Sequence, residues 1–189
     1  MKTTIRFLAV WLGAWAMPSV WAASVSVVNP ATVTPGNPFQ ASVWANQVTD
    51  LYAYQFDLTF DPSILQLVDI QEGPFLASGG ATVFLPGLID NTLGTATFTI
   101  GSLVGPIAGV SGTGDLADLF FTSAGTGTSP LDLSNVEALD SSLSDIPVSQ
   151  RDGSVDVETA VTPEPGIPWW MVASFGALCA IALRRRARA

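Results

Sequence analysis

From Tyr52 to Phe60 large apolar side chains recur at every second position. Tyr52, Tyr54, Phe56, Leu58 and Phe60 fall in one phase, and Ala53, Gln55, Asp57 and Thr59 in the other. A period of two is the signature of a half-buried β-strand, with one row of side chains in a core and the alternate row outside it. The run stops at Asp61-Pro62, where an aspartate can cap the free N–H groups of a short helical turn and proline suits its first position. Ile64, Leu65 and Leu67 then return the chain to the same core, so the stretch from Leu51 to Ile70 predicts a strand, a tight turn and a second core-facing segment.

The rest of the middle of the chain repeats this pattern in shorter pieces. Val25 and Val27 alternate before the turn residues Asn29-Pro30, and Thr34-Pro35-Gly36-Asn37-Pro38 is a second turn. Between Phe39 and Ala45, Phe39, Ala41, Val43 and Ala45 point one way and Gln40, Ser42 and Trp44 the other. Further strands are expected at Thr82 to Leu85, at Thr95 to Ile100 with Ala96, Phe98 and Ile100 inward, at Leu116 to Phe121, and at Gly153 to Val157. The stretch from Gly101 to Gly114 predicts a long loop with a strand fragment at Leu103-Val104, and Gly125 to Pro130 predicts a turn ahead of Leu131, Leu133, Val136 and Leu139. Leu116 to Phe121 is apolar on both faces apart from Asp118, as in a central strand. About nine short strands at this spacing, without an amphipathic helix, predict an all-β chain folded as an antiparallel β-sandwich.

Charge divides the chain into three parts. Lys2 and Arg6 lie at the front, four arginines lie at the back, and residues 24–165 hold one basic group, Arg151, against all 16 carboxylates, or 1 − 16 = −15. Such a surface repels phosphate backbones and excludes nucleic acid as a partner. The chain has no His, its one Cys is Cys179 in the apolar tail, and its one Lys is Lys2, so His-dependent triads, thiol catalysis and Cys/His zinc sites are excluded from the middle part. Residues 1–23 read as a secretory signal peptide: a positive start, an apolar run from Phe7 to Met17, and Val20-Trp21-Ala22, with small residues at the two positions a signal peptidase reads and Ala23 as a second cut site.

Residues 161–189 form the last part. Thr162-Pro163-Glu164-Pro165 is a stiff extended linker, and residues 167–183 carry no charge, enough for one membrane helix of roughly 25 Å. The arginine cluster at 184–188 then marks the cytoplasmic side and leaves the middle part outside. Pro163-Glu164-Pro165, one apolar helix, an arginine cluster and the chain end, in that order, resemble the PEP-CTERM sorting tail of Gram-negative bacteria. The resemblance implies recognition by an exosortase-type membrane enzyme, with Pro163, Glu164 and Pro165 as the sorting motif, and delivery to the cell surface or an exopolysaccharide matrix.

The middle part, residues 24–160, resembles a cohesin domain. The residues that carry this are Val33-Thr34-Pro35-Gly36, Tyr54-Gln55-Phe56 running to Phe60-Asp61-Pro62 and Leu65, Gly112-Thr113-Gly114-Asp115-Leu116-Ala117 leading to Phe121, and Gly153-Ser154-Val155. The resemblance implies a jelly-roll sandwich that receives a dockerin largely on one sheet face. It carries the partner-binding role to the outward positions Ala53, Gln55 and Asp57 and to the neighbourhood of Gly114, Asp115 and Asp118; Trp44, on the polar face of its own run, is expected at the edge of the same binding face. No D-x-[DN]-x-[DN]-G calcium loop of the dockerin kind occurs, so the partner comes from another chain.

These readings predict an exported, non-catalytic binding protein with a protein partner. The alternative is a carbohydrate-binding module acting on exopolysaccharide or plant polysaccharide, for which Trp44 is the strongest stacking residue. A two-carboxylate glycosidase has no recognisable motif here: Asp61 reads as a cap, and Asp132, Asp140, Asp145 and Asp152 as loop residues or, alternatively, ligands of a structural calcium ion.

Overall fold

The polypeptide of the computed structural model is described over residues 22–159. The expected signal peptide and sorting tail lie outside these residues, apart from the junctions at Ala22 and Ala23; among the described residues no helix is long and apolar enough to cross a membrane. The described residues form eleven strands: β1 (Ser24–Val28), β2 (Thr32–Val33), β3 (Pro38–Phe60), β4 (Leu65–Glu72), β5 (Thr82–Leu85), β6 (Leu88–Asp90), β7 (Thr95–Leu103), β8 (Val110–Ser123), β9 (Gly127–Asp140), β10 (Ser149–Arg151) and β11 (Gly153–Val157). One four-residue helix, α1 (Pro74–Ala77), follows β4, with Pro74 at its start and Leu76 fully buried.

The two alternating runs expected on either side of Asn46 to Asp50 are one strand of 23 residues. Gln47 and Asp50 take positive φ (52° and 59°) inside it and turn its second half out of the plane of the first. The first half pairs with β1 and β8, completing a sheet in the order β10-β1-β3-β8-β4. The second half pairs with β9 and β7, in a sheet ordered β2-β11-β9-β3-β7, with β5 and β6 along the outer edge of β7. A strand that leaves one sheet for the other is how a sandwich joins its two layers at a corner. All pairings are antiparallel except the two edge pairings of β10 with β1 and β2 with β11.

The core between the layers contains Val43, Phe56, Leu58, Leu65, Leu119, Phe121, Leu131 and Val155, all at most 1% exposed. Tyr54, Phe56, Leu58 and Phe60 point inward as the alternation predicts, and the Tyr54 hydroxyl crosses the sandwich to donate to the Leu116 carbonyl at 2.6 Å. Tyr52, in the same phase, is only half-buried, and its hydroxyl donates to the Gly105 carbonyl. Asp61 caps as expected: its carboxylate accepts from the Ser63 N–H at 2.8 Å, and its carbonyl accepts from the Ile64 and Leu65 N–H groups.

Three expectations are corrected. The alternation of β7 does not run through Phe98 and Ile100: Phe98 takes φ 59° and is 62% exposed, Thr99 is buried, and Ile100 falls in the outward row with Gln55 and Leu85. A bulge in the β3–β7 pairing between Phe56 and Leu58 inserts the extra residue that switches the phase. Gly101 to Gly114 is mostly strand, because β7 and β8 each find partners through the glycines and only the residues from Val104 to Gly109 form a loop. Gly127 to Pro130 lies in β9, not in the turn; the β3 pairing ends at Phe60 opposite Leu131, so Pro130 faces no ladder partner on that side and pairs only with β11.

Candidate functional site

The outward face of the second sheet is built from alternate residues of β5, β7, β3 and β9. Cross-strand register places Leu85, Ile100, Gln55 and Glu137 in one row, and Val83, Ser102, Ala53 and Leu139 in the next. A shallow cleft of about 110 Å³ between Ala53, Gln55, Ile100, Glu137 and Leu139 lies at the crossing of these rows. Toward β5 and β6 the face turns apolar: Val83, Leu85, Leu88 and Phe98 are each more than half exposed. Phe98 joins them only because the bulge turns it outward.

Asp57 holds that bulge. Its carboxylate accepts from the Phe98 backbone N–H at 2.7 Å on one side and from the Asn135 side-chain amide at 2.7 Å on the other. Phe98 and Asn135 both have positive φ, so one carboxylate serves the irregular residues of the two strands flanking β3. A bulge leaves ladder donors without partners, and an ionised acceptor satisfies them well.

Of the residues singled out in the sequence, Gln55 and Asp57 lie on this face. Trp44, Asp115 and Asp118 do not: they belong to β3's first half and to β8, on the outward face of the first sheet, which points away on the other side of the sandwich. The single binding face expected from all five is therefore not formed. It depended on both runs of β3 lying in one sheet, and the kinks at Gln47 and Asp50 put them in different ones.

On the first sheet, a bulge between Val43 and Trp44 lets Asp115 and Asp118, three residues apart, both point outward, opposite Trp44 and Ser42. The Ser42 hydroxyl donates to Asp118 at 2.6 Å, and the Gln40 side-chain amide donates to the same carboxylate. Burial, followed by the hydrogen bond and the negative charge of Asp118, pushes the Asp115 carboxyl up to about 6. One Asp115 oxygen and one Glu72 oxygen are buried without a hydrogen-bond partner, while the other Glu72 oxygen accepts from the Thr82 hydroxyl at 2.9 Å. Burial, with these two carboxylates nearby, also pushes the Tyr54 phenol upward.

The alternative role of the loop carboxylates as calcium ligands finds no constellation. Asp140 accepts from the Ser142 and Ser144 N–H groups and Asp152 from the Leu133 N–H, and among the described residues no group of three or more acidic, His or Cys side chains is placed to hold a metal ion. The residues that sequence reasoning missed are Val83, Leu85, Leu88 and Phe98. Alternation within Thr82 to Leu85 could have flagged Val83 and Leu85 as a row, but Phe98 depends on a bulge with no local signal.

Comparison with known proteins agrees with this architecture. The chain is similar in structure to the non-cellulosomal cohesin from the archaeon Archaeoglobus fulgidus, at 17% identity and a TM-score of 0.58, covering 75% of this chain and 94% of that one. It is similar to the sixth cohesin of scaffoldin B from Acetivibrio cellulolyticus, solved in complex with a dockerin, at 16% identity and a TM-score of 0.60, covering 73% and 100%. It is also similar to a cohesin–dockerin complex of Clostridium thermocellum at 14% identity and a TM-score of 0.57, covering 74% and 95%. At these identities the likeness shows the fold. No curated protein matches the chain. The family model of the cohesin domain matches residues 24–157, the whole of the sandwich from the first residue of β1 to the last of β11, and the chain belongs to the cohesin domain family.

Proposed function

We propose that this protein is an exported, surface- or matrix-associated, non-catalytic binding protein, whose sandwich docks a dockerin-like or other matrix protein on the outward face of the second sheet. The observation that carries this is the apolar surface of Val83, Leu85, Leu88 and Phe98 beside the polar row of Gln55, Glu137 and Asp57. Exposed apolar area of this kind, rimmed by polar groups on a flat sheet, suits a protein partner. Two of the similar cohesins were solved as dockerin complexes, which supports the class of partner. Gln55 at the centre of the face is the polar contact; Asp57 acts through the bulge that presents Phe98. Cohesin domains are binding modules, which agrees with a non-catalytic role. The sorting tail at residues 161–189 supports delivery by an exosortase-type enzyme, with the membrane helix as a transient anchor.

The test is co-sedimentation of the purified chain with extracellular matrix from the producing cell, before and after protease treatment of that matrix. Binding is expected to vanish with the matrix proteins and to be lost in Leu85→Asp, which puts a charge in the apolar surface. Binding that survives protease, or that Leu85→Asp leaves unchanged, would overturn this assignment.

A further inference from the structure

The first sheet carries a second recessed surface, on the opposite side from the proposed docking face. A cleft of about 290 Å³ lies where β10, β1, β3 and β8 come together, lined by Ser24, Ser26, Asn46, Gln47, Thr113 and Arg151. Arg151 is the only basic residue among the described residues, and none of their carboxylates lies within ion-pair distance of it. Among the described residues no carboxylate lines the cleft, although the domain around it is strongly acidic. With no described carboxylate paired to it or lining the cleft, the Arg151 guanidinium fork is available for a ligand anion.

The remaining lining groups are amides and hydroxyls. Ser24, only 5% exposed, also lines the cleft. Asn46 is oriented by its donation to the Ser26 hydroxyl at 2.9 Å, and Thr113 by the Gln47 N–H it accepts at 3.0 Å. Trp44 stands directly opposite Ser26 in the register, on the same outward face and half-buried, one step from Arg151 across β1. A guanidinium, two amides, several hydroxyls and a neighbouring indole are the groups that hold a carboxylate-bearing sugar: the fork takes the carboxylate, amides and hydroxyls take ring hydroxyls, and the indole covers a ring face.

We propose that this cleft binds a uronic-acid residue of an acidic polysaccharide, with Arg151 on the sugar carboxylate and Trp44 under an adjoining ring. The module then has two faces, one for a protein and one for a glycan. Asp115 stands opposite Trp44 on this face, so the sugar carboxylate is placed on the Arg151 side of the cleft, which no described carboxylate lines, and exposed charges beyond about 8 Å are largely screened at physiological ionic strength. Ala22 also lines the cleft, and Ala23 is held beside it by the Ser149 N–H, which donates to its carbonyl at 3.0 Å.

The experiment is affinity electrophoresis of the exported chain, kept in mild detergent, through gels containing polygalacturonate, its carboxyl-reduced neutral form, or poly-L-glutamate. The expected result is retardation by polygalacturonate only. Arg151→Gln, and independently Gln47→Glu, which sets a negative charge in the cleft at constant shape, should each weaken it about tenfold or more. Trp44→Ala should weaken it as well, and Leu85→Asp on the opposite face should not. Thermal unfolding of each variant separates lost binding from lost fold, and exposed Arg151 and Gln47 are expected to leave Tm unchanged. Absence of retardation by polygalacturonate, equal retardation by the carboxyl-reduced polymer, or full binding by folded Arg151→Gln would overturn the proposal. Equal retardation by poly-L-glutamate would also overturn it, in favour of an acidic peptide.

Discussion

Replacing Asp57 by alanine separates a recognition carboxylate from one that holds the fold. Its oxygens accept two hydrogen bonds of 2.7 Å, from the Phe98 N–H and the Asn135 amide, and both partners sit at positive-φ residues of neighbouring strands. A hydrogen bond to a charged group contributes about 1.5–3 kcal/mol, and exposure of this pair moves each to the low end or below, so Asp57→Ala should cost about 2 kcal/mol. For a domain of this size that is a fall in Tm of roughly 6–10 °C. Asp57→Asn keeps an acceptor for one of the two donors and should lose about half as much. Thermal unfolding followed by circular dichroism gives both values. If Asp57→Ala unfolds within about 0.3 kcal/mol of the parent while abolishing binding to matrix protein, the bulge does not depend on this carboxylate and Asp57 is a direct contact.

Three more predictions rest on the packing. Asp115 takes up a proton near pH 6 in the fold but near its ordinary 3.8 when unfolded, so the folded chain binds more protons between these values and stability rises as pH falls through that window. After discounting for solvent at this half-exposed site, the rise should be about 1 kcal/mol, and Asp115→Asn should remove it from a plot of Tm against pH. Asp50 and Asp61, both held low by serine and backbone donors, act in the opposite sense, and their contribution is lost only as pH falls below about 4. Tyr54→Phe should cost only about 1 kcal/mol in urea unfolding, because the Leu116 carbonyl still accepts from the Gly73 N–H at 2.9 Å; a loss above about 2.5 kcal/mol would mean that the hydroxyl also orders the buried carboxylates. Gly101→Ala should cost about 1–3 kcal/mol, since a Cβ there would stand 2.5 Å from the Tyr54 ring, and Tyr54→Ala in the same chain should relieve most of the clash, as a double-mutant cycle would report.

Much was legible along the chain because alternation is a local property. Tyr54, Phe56, Leu58 and Phe60 are buried as their spacing requires, Asp61 caps the turn after them, and Leu116 to Phe121 lies in a central strand between β3 and β4. The absence of His from the chain, and of any basic group but Arg151 from its middle part, excluded whole classes of chemistry before any geometry was known. These conclusions need only the identity of neighbouring residues and the two-residue period of a strand.

Which residues share a face is a different kind of fact. Gln55 and Asp118 are both outward residues of inner strands, and nothing local says that one belongs to each layer. The kinks at Gln47 and Asp50, made by two ordinary residues with positive φ, decide it by carrying β3 from one sheet to the other. The bulge that exposes Phe98 is likewise held by a carboxylate 41 residues away, and the cleft around Arg151 is assembled from four strands spread from Ser24 to Arg151. Alternation along the chain determined the strands, the core rows and the class of fold; the layer to which each outward residue belongs, and hence both candidate surfaces, was decided by long-range pairing and by bulges whose stabilising contacts exist only after the sheets have formed.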